Sequence, residues 1–114
     1  MSLIEQRTSW DCAICANAMF LEKNYEDIFE EYGKPNDGYP LNKSVEYLWN
    51  LGLDVDWYPE KMPEKKAVVI VKSKNHQDKW HSIFYNGEIF FDPSKQQKYS
   101  NWFDVKENLI GCIE

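Results

Sequence analysis

Gln6-Arg7-Thr8-Ser9-Trp10-Asp11-Cys12, running on into Ala13-Ile14-Cys15-Ala16-Asn17-Ala18-Met19-Phe20-Leu21, is the stretch around which the rest of this chain is organised. A short polar lead-in gives way to small and apolar residues at helical spacing, which predicts a helix from about Asp11 or Cys12 to Glu22 or Lys23. Ala13, Ala16, Met19 and Phe20 form its packing face. Asp11 is in place to act as N-cap. Cys12 then stands at a helix N-terminus, where unpaired backbone N–H groups and the positive end of the helix dipole favour a thiolate, the nucleophilic form. A thiolate nucleophile needs a base, a group to orient that base and donors for an oxyanion, and the rest of the chain offers candidates for each.

Outward from that helix, Asn24 caps a second one with Glu26 and Asp27 in its first turn, and Tyr25, Ile28, Phe29 and Tyr32 form its apolar face before Gly33 stops it. Residues 34–40 read as a loop. A third helix from about Asn42 to Asn50 turns Leu41, Val45, Leu48 and Trp49 inward and ends at Gly52. The period then changes. Leu53, Val55 and Trp57 alternate with polar positions as a half-buried strand, and Ala67-Val68-Val69-Ile70-Val71 reads as a central strand. A short helix is expected around Asn101 to Asn108 with Trp102, Phe103 and Val105 as its apolar side, followed by an edge strand over Leu109 to Ile113.

The second decisive stretch is His81-Ser82-Ile83-Phe84-Tyr85-Asn86-Gly87-Glu88-Ile89-Phe90-Phe91-Asp92, two strand-like runs flanking Asn-Gly. If Asn86-Gly87 is the whole turn, 85 faces 88, 84 faces 89 and His81 faces Asp92 on one side of the sheet. Directly opposed side chains suit a carboxylate holding an imidazole. Cys12, His81 and Asp92 thus become nucleophile, base and orienter, and Gln6 joins the Cys12 backbone N–H as an oxyanion donor.

At 114 residues with 43% hydrophobic content, six Phe, seven Tyr and five Trp, the chain is expected to be one domain over 1–114, helical over about 11–52 and sheet over about 53–114. A net charge of −6 without a basic patch argues against a nucleic-acid partner. No apolar run reaches the ~20 residues of a membrane span, and the N-terminus lacks signal-peptide features. Three cysteines are an odd number for a disulfide framework, so reduced thiols in a cytoplasmic setting are expected. Cys15 and Cys112 read as core thiols. Cys12-Ala13-Ile14-Cys15 also fits a redox Cys-x-x-Cys pattern, but that pattern needs a strand leading into it and only a short polar lead-in is present. Zinc on Cys12, Cys15, His76 and His81 has poor ligand spacing, so neither a metal nor a cofactor is expected.

The order Gln6, Asp11-Cys12, three helices, an apolar strand, His81 on one strand and Asp92-Pro93 ending the next resembles the bacteriocin-processing peptidase domains, which belong to the papain-like cysteine peptidase superfamily. The resemblance covers roughly Gln6 to Pro93. It implies an α+β papain-like fold, with N-terminal helices packed on a small antiparallel sheet. By position it matches Cys12 to the nucleophile, His81 to the base, Asp92 to the orienting acid and Gln6 to the oxyanion glutamine. The chain departs from the family in having Ala13 after the cysteine and Trp80 before the histidine, where glycine is frequent. Trp10, Trp80 and Tyr39 are candidates for lining a substrate groove. The expected activity is a thiol-dependent hydrolysis of a peptide or isopeptide bond in a peptide or protein substrate. The rival is a papain-like domain without turnover, a binding module or effector that holds a peptide or host protein.

Overall fold

The computed structural model describes residues 3–7, 11–32, 41–73, 80–94 and 99–114. In chain order the elements are α1 (Cys12–Leu21), α2 (Tyr25–Tyr32), α3 (Leu41–Asn50), β1 (Val55–Trp57), β2 (Ala67–Lys72), β3 (Trp80–Tyr85), β4 (Phe90–Phe91), α4 (Trp102–Asn108) and β5 (Leu109–Ile113). Together they form an α+β domain whose five strands pair antiparallel in the order β1-β5-β2-β3-β4.

Alternate residues of β2 feed two cores because side chains on a strand point to opposite faces in turn. Val68 and Ile70 pack with Phe84, Ile110 and Ile113 against Ala16, Met19 and Phe20 of α1 and Leu48 of α3. Ala67, Val69 and Val71 pack with Ile83, Tyr85 and Cys112 against Tyr99 and against Val105 of α4. Helices therefore cover both faces of the sheet, which is why β2 reads as a continuous apolar run. Phe84 sits at the centre of the first core, edge-on to Phe20 at 6.3 Å and stacked on Phe91 at 5.9 Å. Truncating such a ring to alanine costs about 3–5 kcal/mol.

Every residue of α1 from Ala13 to Phe20 is buried. A helix buried all round needs apolar or small residues on all sides, and the Ala-rich sequence supplies them. One side meets the sheet, while Ile14, Cys15 and Ala18 meet Tyr25 and Ile28 of α2. At its far end Glu22 turns left-handed, with φ 56°, and Lys66 Nζ donates to the Phe20 carbonyl at 3.0 Å, so a lysine satisfies one of the last carbonyls. α3 stops as its glycine predicts: Gly52 takes φ 87° and its N–H donates to the Trp49 carbonyl at 2.9 Å.

Five expectations are corrected. β5 is not an edge strand, because it lies between β1 and β2 with Ile110 to Ile113 buried. Trp49 is 60% exposed and Phe103 82% exposed, each turned about 100° from the neighbour that does face the core, Leu48 and Trp102 respectively. Trp57 is half-exposed on β1, lying over the backbone of Gly111 on β5. The hairpin register differs by two residues: Phe84 pairs with Phe91 and Tyr85 with Phe90. The turn is centred on Gly87 and Glu88, with Asn86 N–H donating to the Ile89 carbonyl at 3.2 Å and Gly87 at φ 103°. Asn86 Oδ1 accepts from Glu88 N and Ile89 N, at 2.8 and 2.9 Å, and this side-chain capping moves the asparagine from inside the turn to its entry. The Tyr32 and Leu41 side chains lie outside what is described, as does the whole 34–40 loop.

Candidate active site

The two-residue change in register removes the direct opposition of His81 and Asp92 yet leaves them on the same side of the hairpin, because side chains alternate with period two. The carboxylate becomes a diagonal neighbour of the ring, within reach of a long side chain. Nε2 of His81 donates to Asp92 Oδ1 at 2.6 Å. Both side chains are withdrawn from solvent, to 11% and 1% exposure.

Asp92 is a fully engaged carboxylate. Besides the imidazole, Oδ1 accepts from Ser94 N–H at 2.9 Å and Oδ2 accepts from Tyr99 N–H at 2.8 Å. Backbone donors hold a buried carboxylate in one orientation, so the imidazole it grips is oriented in turn. The Asp-Pro-Ser sequence carried a signal for part of this, since Asp side chains commonly accept from the backbone two residues on. Tyr99 carried none, because it lies seven residues further along the chain; its hydroxyl donates to the Lys72 carbonyl at the end of β2.

Cys12 is the first residue of α1 and is half-buried. It lies within interaction range of the His81 ring, whose pKa it raises through hydrogen bonding and charge. With Nε2 committed to Asp92, Nδ1 is the nitrogen left for Cys12. Burial works to neutralise the ring, but the hydrogen bond to Asp92, that to Cys12 and the charges of both outweigh it and raise the His81 pKa to about 10. The ring is therefore an imidazolium through the neutral range.

Gln6 is half-buried, and its backbone N–H donates to the Pro93 carbonyl at 2.8 Å, which lays the lead-in segment alongside the residue that follows Asp92. The chain thus brings residues 6, 12, 81 and 92 to one place from three separate regions of sequence. Trp80 heads β3 beside His81 and is 47% exposed. Trp10 and Tyr39 lie outside the described residues.

Asp11 takes a different part from the one expected. It occupies the N-cap position of α1, but its side chain makes no capping hydrogen bond. Fully buried, its Oδ2 accepts instead from Arg7 N–H at 3.0 Å and from the Tyr25 hydroxyl at 2.7 Å. The Arg7 guanidinium lies 3.9 Å from the centre of the Tyr25 ring and pairs with Glu26 at 2.8 Å. This bracing was not legible in sequence, where Tyr25 reads as one more apolar position of α2.

The other two cysteines are core residues. Burial, then the charge of Asp11, pushes the Cys15 thiol well above its ordinary value, and burial takes Cys112 up to about 12. Both therefore stay protonated and unreactive. All three cysteines are free thiols. Among the described residues no group of three or more His, Cys, Asp or Glu side chains is arranged to hold a metal ion, and no helix is long and apolar enough to cross a membrane. A scan of protein-family models finds none that matches this chain, and no curated protein matches it.

Proposed function

We propose that the chain is a papain-like cysteine peptidase, related in plan to the bacteriocin-processing peptidase domains, that hydrolyses a peptide or isopeptide bond. The observation that carries this reading is the hydrogen bond from His81 to buried Asp92, with Cys12 at the start of α1 near enough to raise the pKa of the same ring. A structural histidine has no need of a cysteine on one ring nitrogen and a triply bonded carboxylate on the other.

The chemistry follows from the placement. The Cys12 sulfur attacks the carbonyl carbon, forming a C–S bond, while the carbonyl oxygen takes up the negative charge. Backbone N–H of Cys12 and the side-chain amide of Gln6 are the donors for that oxyanion. The His81 imidazolium gives its Nδ1 proton to the leaving nitrogen as the C–N bond breaks, leaving a thioester on Cys12 and a neutral ring. That ring then takes a proton from water, whose oxygen attacks the thioester, and the carboxylic acid product leaves as sulfur recovers its charge. Asp92 keeps the ring in the tautomer that presents Nδ1 to the sulfur. A thiol that must remain reduced fits a cytoplasmic protein.

Incubation with a synthetic peptide mixture, read by mass spectrometry, tests the reading. Cleavage by the wild-type chain should be lost in Cys12→Ala, by at least about 10³-fold. Full cleavage by Cys12→Ala would end the claim and favour a groove that only binds.

A further inference from the structure

The lead-in segment is fastened on both sides of Gln6 by backbone hydrogen bonds, and each fastening ends next to a member of the triad. On one side Gln6 N–H donates to the carbonyl of Pro93, the residue after Asp92. On the other, Arg7 N–H donates to the carboxylate of Asp11, the residue before Cys12. Asp11 has no helix-capping duty to explain its burial. Its Oδ2 is in turn held by the Tyr25 hydroxyl from α2, and the ring of Tyr25 carries the Arg7 guanidinium on its face, so the side chain and the backbone of Arg7 are gripped by the same pair. Burying a carboxylate is costly unless hydrogen bonds satisfy it, and Arg7 N–H and the Tyr25 hydroxyl supply them. What they fix is the position of residues 6–7 relative to the start of α1.

We propose that Asp11 and Tyr25 are positioning residues that set Gln6 at the oxyanion side of Cys12, an inference that rests on the acyl-transfer reading of the site. Their side chains bond to the Arg7 backbone and to each other. They act through the Arg7 backbone, and their effect is felt only when an oxyanion forms.

Two thiol probes separate this role from a general one. Acylation of Cys12 by p-nitrophenyl acetate passes through a tetrahedral oxyanion and needs the Gln6 donor. Alkylation by iodoacetamide is a displacement at a saturated carbon and does not. Tyr25→Phe keeps the ring and removes the hydroxyl. It should slow acylation about tenfold while leaving alkylation within about twofold, since small misplacements of a catalytic donor are costly. Asp11→Asn, which keeps one acceptor oxygen, should weaken acylation in the same selective way. In a Gln6→Ala background Tyr25→Phe should add nothing, because residues acting through one another are not additive. Equal losses with both probes, or additive losses with Gln6→Ala, would overturn the positioning role and leave Tyr25 as a packing residue. If the wild-type chain acylates no faster than Cys12→Ala, the acyl-transfer reading itself fails and the positioning role falls with it.

Discussion

The two edges of the sheet are both short and end in opposite ways. At one edge, the three residues of β1 cover β5 and pair with it along their length, Trp57 lying across Gly111. At the other, β4 pairs for two residues and stops, and the chain beyond it turns its polar groups to side chains and to other segments. Asp92 takes His81, Ser94 and Tyr99, and Pro93 takes Gln6. An edge that keeps its ladder stabilises a fold, whereas an edge that abandons it early frees a carboxylate and a carbonyl to hold His81 and Gln6. Substitutions at the two edges should therefore separate activity from stability.

The largest effect is expected at the β4 edge. Asp92→Asn leaves the packing in place but swaps an acceptor for a donor toward His81 or the backbone, so peptide cleavage should fall about 10²–10⁴-fold. The same change leaves one of the buried donors poorly satisfied, at about 1–3 kcal/mol in stability. An Asp92→Asn chain that cleaves at the wild-type rate would show that the carboxylate only organises the backbone around Ser94 and Tyr99.

The next effect is one of pH. His81 has a folded-state pKa raised from 6.5 to about 10, so its contribution to stability is fully present below pH 6.5 and is lost as pH rises toward 10. Cys15 and Cys112, also raised, add losses of the same sign only above about pH 9, their ordinary value. Urea midpoints of the wild-type chain should decline between pH 6.5 and 9, and those of His81→Gln should stay level over that interval. Parallel curves for the two proteins would contradict the imidazolium assignment.

The smallest effect belongs to the β1 edge. Trp57→Ala removes a half-buried ring from Gly111 and should cost about 1–2 kcal/mol, read in the urea midpoint, with peptide cleavage unchanged. A loss of cleavage there would mean that the two edges are coupled through β5 and β2.

Much of this arrangement was legible in the residues. Element types and most boundaries follow from periodicity and from stops such as Gly52, because those depend on neighbours in sequence. Cys12, His81 and Asp92 could be chosen because a helix start and a hairpin are local features, and the pairing of His81 with Asp92 survived a misplaced turn because an even slip preserves the face. The position of the turn was missed because Asn86 uses its side chain as an acceptor from Glu88 and Ile89, an option that competes with its place inside an Asn-Gly turn. The place of β5 was missed because strand order is a property of the whole sheet. The bracing of Asp11 by Arg7 and Tyr25 depends on how α2 packs against the lead-in segment, and nothing local in sequence encodes it.

The central claim is that His81 works on Cys12, and alkylation by iodoacetamide at mildly acidic pH, mapped by mass spectrometry, tests it most directly. In the wild-type chain Cys12 should be alkylated well before buried Cys15 and Cys112, and His81→Ala should slow that reaction at least about tenfold. A Cys12 that reacts no faster than the two core thiols, or at the same rate without His81, would contradict the account.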